Sequence, residues 1–142
     1  MGTGREGEGG VEIYNQKRGM EIYEYSFEKL VAWKKAKELA IWAYQITKNF
    51  PTEEKYGLMS QMRRCGIGIP SHLAEVSGRI TGKDKANFTS IAYSTLMELL
   101  NQSIISFELG FLSKEDYLET RRLAQTLSKM LNNLRNSQLK SA

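Results

Sequence analysis

"LMSQMRRCGIGIPSHLAEVSGR", residues 58–79, decides how the chain is read. Leu58, Met62, Cys65, Ile69, Leu73 and Val76 recur at spacings of 4, 3, 4, 4 and 3, the period of a helix with one apolar face. Gly66, Gly68 and Pro70 fall inside that period, directly after Arg63 and Arg64. A proline inside a helix removes one donor, crowds the carbonyl four residues back and costs about 3 kcal/mol. That carbonyl belongs to Gly66. With no Cβ at 66 or 68, the backbone can bend, or a neighbouring helix can come close. Because the apolar stripe runs on across the interruption, the spacing predicts one bent helix and not two.

Outward from this segment the helical period continues in both directions. A first helix is expected from about Phe27 to Asn49, with Ala32, Ala36, Leu39, Ala43, Ile46 and then Phe50 on one face and Pro51 as its stop. The second opens near Thr52 or Glu53, where acidic residues suit the positive end of the helix dipole, and closes in the turn "GRITGK". A third runs from about Lys83 to Leu109, with Gly110 suited to the position just past a helix end. A fourth opens at Ser113, with Asp116 at the reciprocal capping position, and continues through Tyr117, Ala124, Leu127, Leu131 and Leu134. Four helices with short connections predict an all-α, antiparallel up-down-up-down four-helix bundle with a kinked second helix.

The bundle domain is placed at residues 26–139, after a flexible N-terminal tail or arm at 1–25. "MGTGREGEGG" has almost nothing to bury. "VEIYNQKRGMEIYEYS" could dock as an extended arm on the body or on a neighbour, and Met20 could itself be a start. A chain of 142 residues, 41% hydrophobic and 25% charged, suits one domain with a single core. No apolar run approaches the ~18–20 residues of a membrane span, so a cytoplasmic protein is expected. Residues 1–25 hold three basic and five acidic residues, so the remainder carries +6, against +4 for the whole chain. A basic body is compatible with an anionic partner such as nucleic acid.

Sequence chemistry argues against an enzyme. Cys65 stands alone at an apolar position, and no Cys, His or carboxylate spacing suggests a metal site or a cofactor. His72 and Glu75, three apart, can touch on a helix, but they are read as a surface or satisfied histidine and not as half of a metal site. "GTGREGEGG" lacks the strand, the Gly-Lys-Ser/Thr and the helix of a phosphate loop. No catalytic residue is assigned.

Some helices carry more apolar surface than a monomer needs. On the third helix, Phe88, Ile91, Ala92, Thr95, Leu99 and Leu109 form one face, and Tyr93, Met97, Leu100, Ile104 and Phe107 a second. Either this helix is central and buried nearly all round, or the chain is a homo-oligomer. Under the second reading the interface falls on Leu30, Trp33, Ile41, Tyr44, Tyr56, Ile67, Met97 and Ile104. For a nucleic-acid contact, Arg63, Arg64, Arg79, Lys83 and Lys85 around the second helix are the candidates, with Tyr56 beside them for stacking. Such charges are often no more than solvated faces.

Phe27, Leu30, Trp33 and Ala36, then Phe50, Pro51, Glu54, Tyr56, Gly57, Leu58, Gln61, Arg63 and Arg64, then Ile69, Pro70, Ala74 and Glu75 follow a recognisable order. They match "F-x-x-L-x-x-W-x-x-A", "F-P-x-x-E-x-Y-G-L-x-x-Q-x-R-R" and most of "I-P-x-N-I-A-E-G", so the chain resembles the 23S rRNA intervening-sequence proteins over about residues 26–135. His72, Leu73 and Val76 depart from the last motif, which has Asn, Ile and Gly there. The resemblance implies a homopentamer of four-helix bundles. It also implies kinship with the accessory variability determinant of diversity-generating retroelements, which binds nucleic acid and a reverse transcriptase. The expected function is a non-enzymatic, oligomeric RNA- or DNA-binding accessory protein, possible partner of such a reverse transcriptase. The alternative is a homo-oligomeric protein-interaction scaffold without direct nucleic-acid binding.

Overall fold

A computed structural model describes residues 22–141, so the proposed N-terminal tail lies for the most part outside the described residues. Four helices follow: α1 (Val31–Thr47), α2 (Leu58–Val76), α3 (Gly82–Glu108) and α4 (Lys114–Lys140). Single 3-10 turns at Ser26–Lys29 and Thr52–Glu54 precede α1 and α2. No strand occurs among the described residues, and the fold is an all-α four-helix bundle.

Two helix starts fall later than the apolar period suggests. Phe27 lies in a 3-10 turn, and Leu30, at φ −72° and ψ 121°, resets the chain to extended backbone before α1. Thr52 and Glu53 belong to the second 3-10 turn, and α2 begins only after Gly57. The acidic residues there act from outside the helix: Glu54 Oε1 accepts a hydrogen bond from the Leu58 amide at 3.0 Å. The other ends are capped from within the sequence. Thr81 Oγ1 and Ser113 Oγ accept from the amides of Asp84 and Asp116, each at 3.1 Å. Gly110 has φ 83°, and the amides of Gly110 and Phe111 bond to the carbonyls of Phe107 and Ser106 at 3.0 and 2.8 Å, a Schellman end to α3.

Each helix packs on its neighbour in sequence, and α4 closes the ring against α1. Contacts between neighbours descend along one helix as they ascend along the other. Arg63 reaches Thr47 while Gly66 meets Ala40 and Ala43. Ser106 bonds Met62 while Thr95 meets Gly68. Trp42 bonds Thr120 at 2.9 Å while Phe50 packs on Phe111 at 5.6 Å.

The core holds Ala32, Ala36, Leu39, Ile46 and Phe50 from the first helical region, and Met62, Cys65, Ile69 and Leu73 from α2. α2 runs unbroken through Pro70. A Cβ on Gly66 would lie 3.2 Å from Ala43 Cβ, and one on Gly68 would lie 3.3 Å from Thr95 Cγ2. The two glycines thus bring α2 close to α1 on one side and to α3 on the other.

α3 differs from both faces drawn for it. Its buried stripe is Ala86, Thr89, Ala92, Leu96, Leu99, Ser103 and Ser106, which passes between them. Ile91 and Leu109 are exposed, while Tyr93, Met97, Leu100 and Phe107 pack half-buried at the edge of the core. The stripe uses small hydroxyl residues whose polar groups are satisfied locally. Thr89 and Ser103 bond carbonyls four residues back, and Ser106 bonds Met62 Sδ at 3.4 Å.

Candidate nucleic-acid interface

The five basic residues singled out in the sequence fall into two groups. Arg63 and Arg64 lie in the second turn of α2, while Arg79, Lys83 and Lys85 lie beyond its other end, on the order of 20 Å away along the helix. Arg63 is engaged within its own chain. Its Nε donates to Thr47 Oγ1 at 2.9 Å, Nη2 donates to the Tyr44 carbonyl at 3.3 Å, and the guanidinium lies 4.6 Å from the Tyr44 ring centre. A cation at the last carbonyls of α1 suits the negative end of that helix. Arg64, one residue on, turns to solvent. Tyr56 is 87% exposed in the loop before α2, with Lys55 Nζ 5.7 Å from its ring centre.

The second group gains members from elsewhere in the fold. Thr89 Oγ1 donates to Gln138 Oε1 at 2.8 Å, which ties the start of α3 to the end of α4. Lys140 therefore comes to the same end of the bundle as Lys83 and Lys85. The 3-10 turn that carries Lys29 packs on α1 and α2 and adds a further cation there. Arg79 lies over the Phe88 ring at 4.4 Å, which holds its charge beside α3. Lys29 and Lys140 were not legible as members of this group, because only the packing of distant segments brings them in. The arginines of α4 are partly spent: Arg122 Nε donates to Glu119 Oε1 at 2.8 Å, and that pairing pulls the Glu119 pKa down and raises that of Arg122. Arg121 donates to the Tyr117 hydroxyl at 2.7 Å.

The eight residues read as an interface do not form one surface. Trp33, Ile41, Tyr44 and Ile67 share an apolar groove of about 410 Å³ between α1 and α2, floored by Ala40, Pro70 and Ala74. Ile41 and Ile67 are 52% and 48% exposed there. Phe27 packs edge-on against Trp33 at 5.1 Å, and Lys37 Nζ lies 4.9 Å from the same ring. Met97 lines a different recess, of about 520 Å³ between α3 and α4, with Leu100, Leu118, Arg121 and Arg122. Leu30 packs against the core, Ile104 is half-buried on α3, and Tyr56 stands apart.

Other reactive groups have structural settings. Burial pushes the Cys65 thiol pKa up; the Glu98 carboxylate adds to this, while the Gln102 amide at 3.5 Å and Arg64 act the other way. His72 Nδ1 and Glu75 Oε1 are 3.1 Å apart on the surface of α2. No group of three potential metal ligands occurs among the described residues, and no described helix is long and apolar enough to cross a membrane.

Four helices with no strand among the described residues place the chain among the all-α four-helix-bundle proteins. Within that class, residues 28–133 match the model of the 23S rRNA-intervening sequence protein family, and the chain belongs to that family. No curated protein matches the chain.

Proposed function

We propose that the chain is a non-enzymatic, homo-oligomeric accessory protein of the cytoplasm that binds structured RNA through the basic end of its bundle. What supports this reading is that four separate segments place Lys29, Arg79, Lys83, Lys85 and Lys140 at one end of the bundle, in a member of the 23S rRNA-intervening sequence protein family. The resemblance to retroelement accessory determinants extends the reading to DNA and to a reverse transcriptase as protein partner.

The apolar groove supports the oligomer. The α1/α2 groove and the α3/α4 recess lie on opposite sides of the bundle, and two unlike surfaces facing away from each other suit head-to-tail contacts that close into a ring, here a pentamer. Sedimentation velocity is expected to give a single species larger than the monomer, and Ile41→Asp to dissociate it. A wild-type monomer at micromolar concentration contradicts the oligomer.

One observation favours the scaffold alternative. Arg63 is turned inward onto Thr47 and Tyr44, so one of the paired arginines serves packing. Fluorescence anisotropy with a labelled hairpin RNA separates the two. The nucleic-acid reading expects tight binding at low salt that weakens steeply as salt rises. The scaffold reading expects an intact oligomer with no such binding.

A further inference from the structure

Ile80 is the most exposed large apolar residue among the described residues, at 93%. It sits at the tip of the α2–α3 connection, between Arg79 and Lys83, in a run from Ser77 to Thr81 that faces solvent throughout. The connection is held from both sides. The amides of Gly78 and Arg79 each bond a carbonyl of the last turn of α2 at 3.0 Å, and Thr81 caps α3 through the Asp84 amide. An apolar side chain on a short connection pinned in this way loses little freedom when it is buried by a partner.

We propose that this connection is a wedge for an unpaired base: Ile80 packs against the base face while Arg79, Lys83 and Lys85 hold the phosphates on either side. The inference rests on the nucleic-acid reading above and specifies where and how it is realised. Apolar side chains, isoleucine among them, unstack bases where proteins kink a duplex, and an unpaired base offers its face without that cost. A lipid surface asks for more, since interfacial binding scales with buried apolar area and this tip offers a single isoleucine. Glu28, on the turn that carries Lys29, and Glu75 and Asp84 lie at the same end, three carboxylates against the five cations, so positive charge prevails there.

The test uses the full chain with hairpin RNAs that are fully paired or carry one bulged 2-aminopurine, and the same pair in DNA. Wild type is expected to prefer the bulged form by about tenfold, with a change in 2-aminopurine fluorescence on binding. Ile80→Ser is expected to lose that preference and the fluorescence change while keeping the salt dependence, and Ile80→Leu to keep both. Preference in RNA and DNA alike places the contact on base and phosphate. Preference in RNA alone adds the 2′-hydroxyl to the same wedge. If Ile80→Ser retains the wild-type preference, the wedge is wrong and the nucleic-acid reading survives. If wild type binds none of the four at low salt, both are wrong. Ile80-dependent binding to anionic phosphatidylserine vesicles with none to RNA overturns the wedge in favour of a lipid contact.

Discussion

Gly66 and Gly68 look alike in sequence but stand in different surroundings. At 66 an added methyl meets Ala43 Cβ at 3.2 Å and the Ala40 backbone at 3.5 Å, on a buried side where α1 would have to move. At 68 it meets only the methyl of half-buried Thr95. Alanine gains up to about 1 kcal/mol in a helix interior, and overpacking costs about 1–3 kcal/mol. Urea unfolding is therefore expected to show Gly66→Ala destabilised by about 1 kcal/mol and Gly68→Ala near neutral. Equal effects at both sites would remove the close approach of α1 as the reason for the first glycine. The paired arginines divide in the same manner. Arg63→Ala loses two hydrogen bonds and a ring contact and is expected to cost about 1–2 kcal/mol, whereas Arg64→Ala leaves the unfolding midpoint in place. The sequence marks both arginines equally, because which one turns inward depends on where the end of α1 arrives.

Cys65 offers a probe at the same scale. Its pKa is raised chiefly by burial, so the folded state holds the thiol proton more tightly than the unfolded chain does. The contribution is fully present at neutral pH and is lost as pH rises through the ordinary thiol range toward the raised folded value. Alkylation of the native protein is expected to stay slow at mildly alkaline pH and to become fast in denaturant. Rapid native labelling at neutral pH would show that the α2–α3 contact opens readily.

At the scale of the helices, the apolar period located all four, and their ends failed where local geometry took over. Leu30 and Gly57 interrupt segments whose side-chain spacing alone reads as continuous helix. The buried stripe of α3 departs from the apolar pattern for a different reason. Thr89, Ser103 and Ser106 count as polar in any hydropathy pattern, yet each hydroxyl finds a nearby acceptor and its small volume admits a neighbouring helix. Ser103→Ala is expected to be tolerated within about 1 kcal/mol, since it removes a hydroxyl bonded only within its own helix, whereas Thr89→Val is expected to cost about 1–3 kcal/mol, because it leaves the buried Gln138 Oε1 without its donor. Ser103→Leu is expected to unfold the protein at a distinctly lower urea concentration. The continuity of α2 through Pro70 fits the uninterrupted apolar stripe, and the missing donor opposite Gly66 predicts a bend. Residual dipolar couplings are expected to give different axis directions for the halves of α2 before and after Gly66, and one common direction would remove the bend.

For the whole molecule, the bundle was legible because each helix announces itself through its own period. The surfaces were not, because they are assembled from segments far apart in the chain. Trp33, Ile41, Tyr44 and Ile67 meet in one groove, but Met97 lies in the recess on the opposite side and Tyr56 in neither. Lys29 and Lys140 join Arg79, Lys83 and Lys85 only once the first turn and the last helix are packed at the same end. The central claim is that this end of the bundle binds nucleic acid by neutralising phosphates. It is tested most directly by the slope of log affinity against log salt for a hairpin RNA, measured for wild type and for Arg79→Ala/Lys83→Ala/Lys85→Ala. Each lost phosphate contact removes about 0.7–0.9 from the slope, so the triple variant is expected to bind more weakly at low salt with a slope shallower by about two. Identical affinity and slope in a folded triple variant would contradict the account.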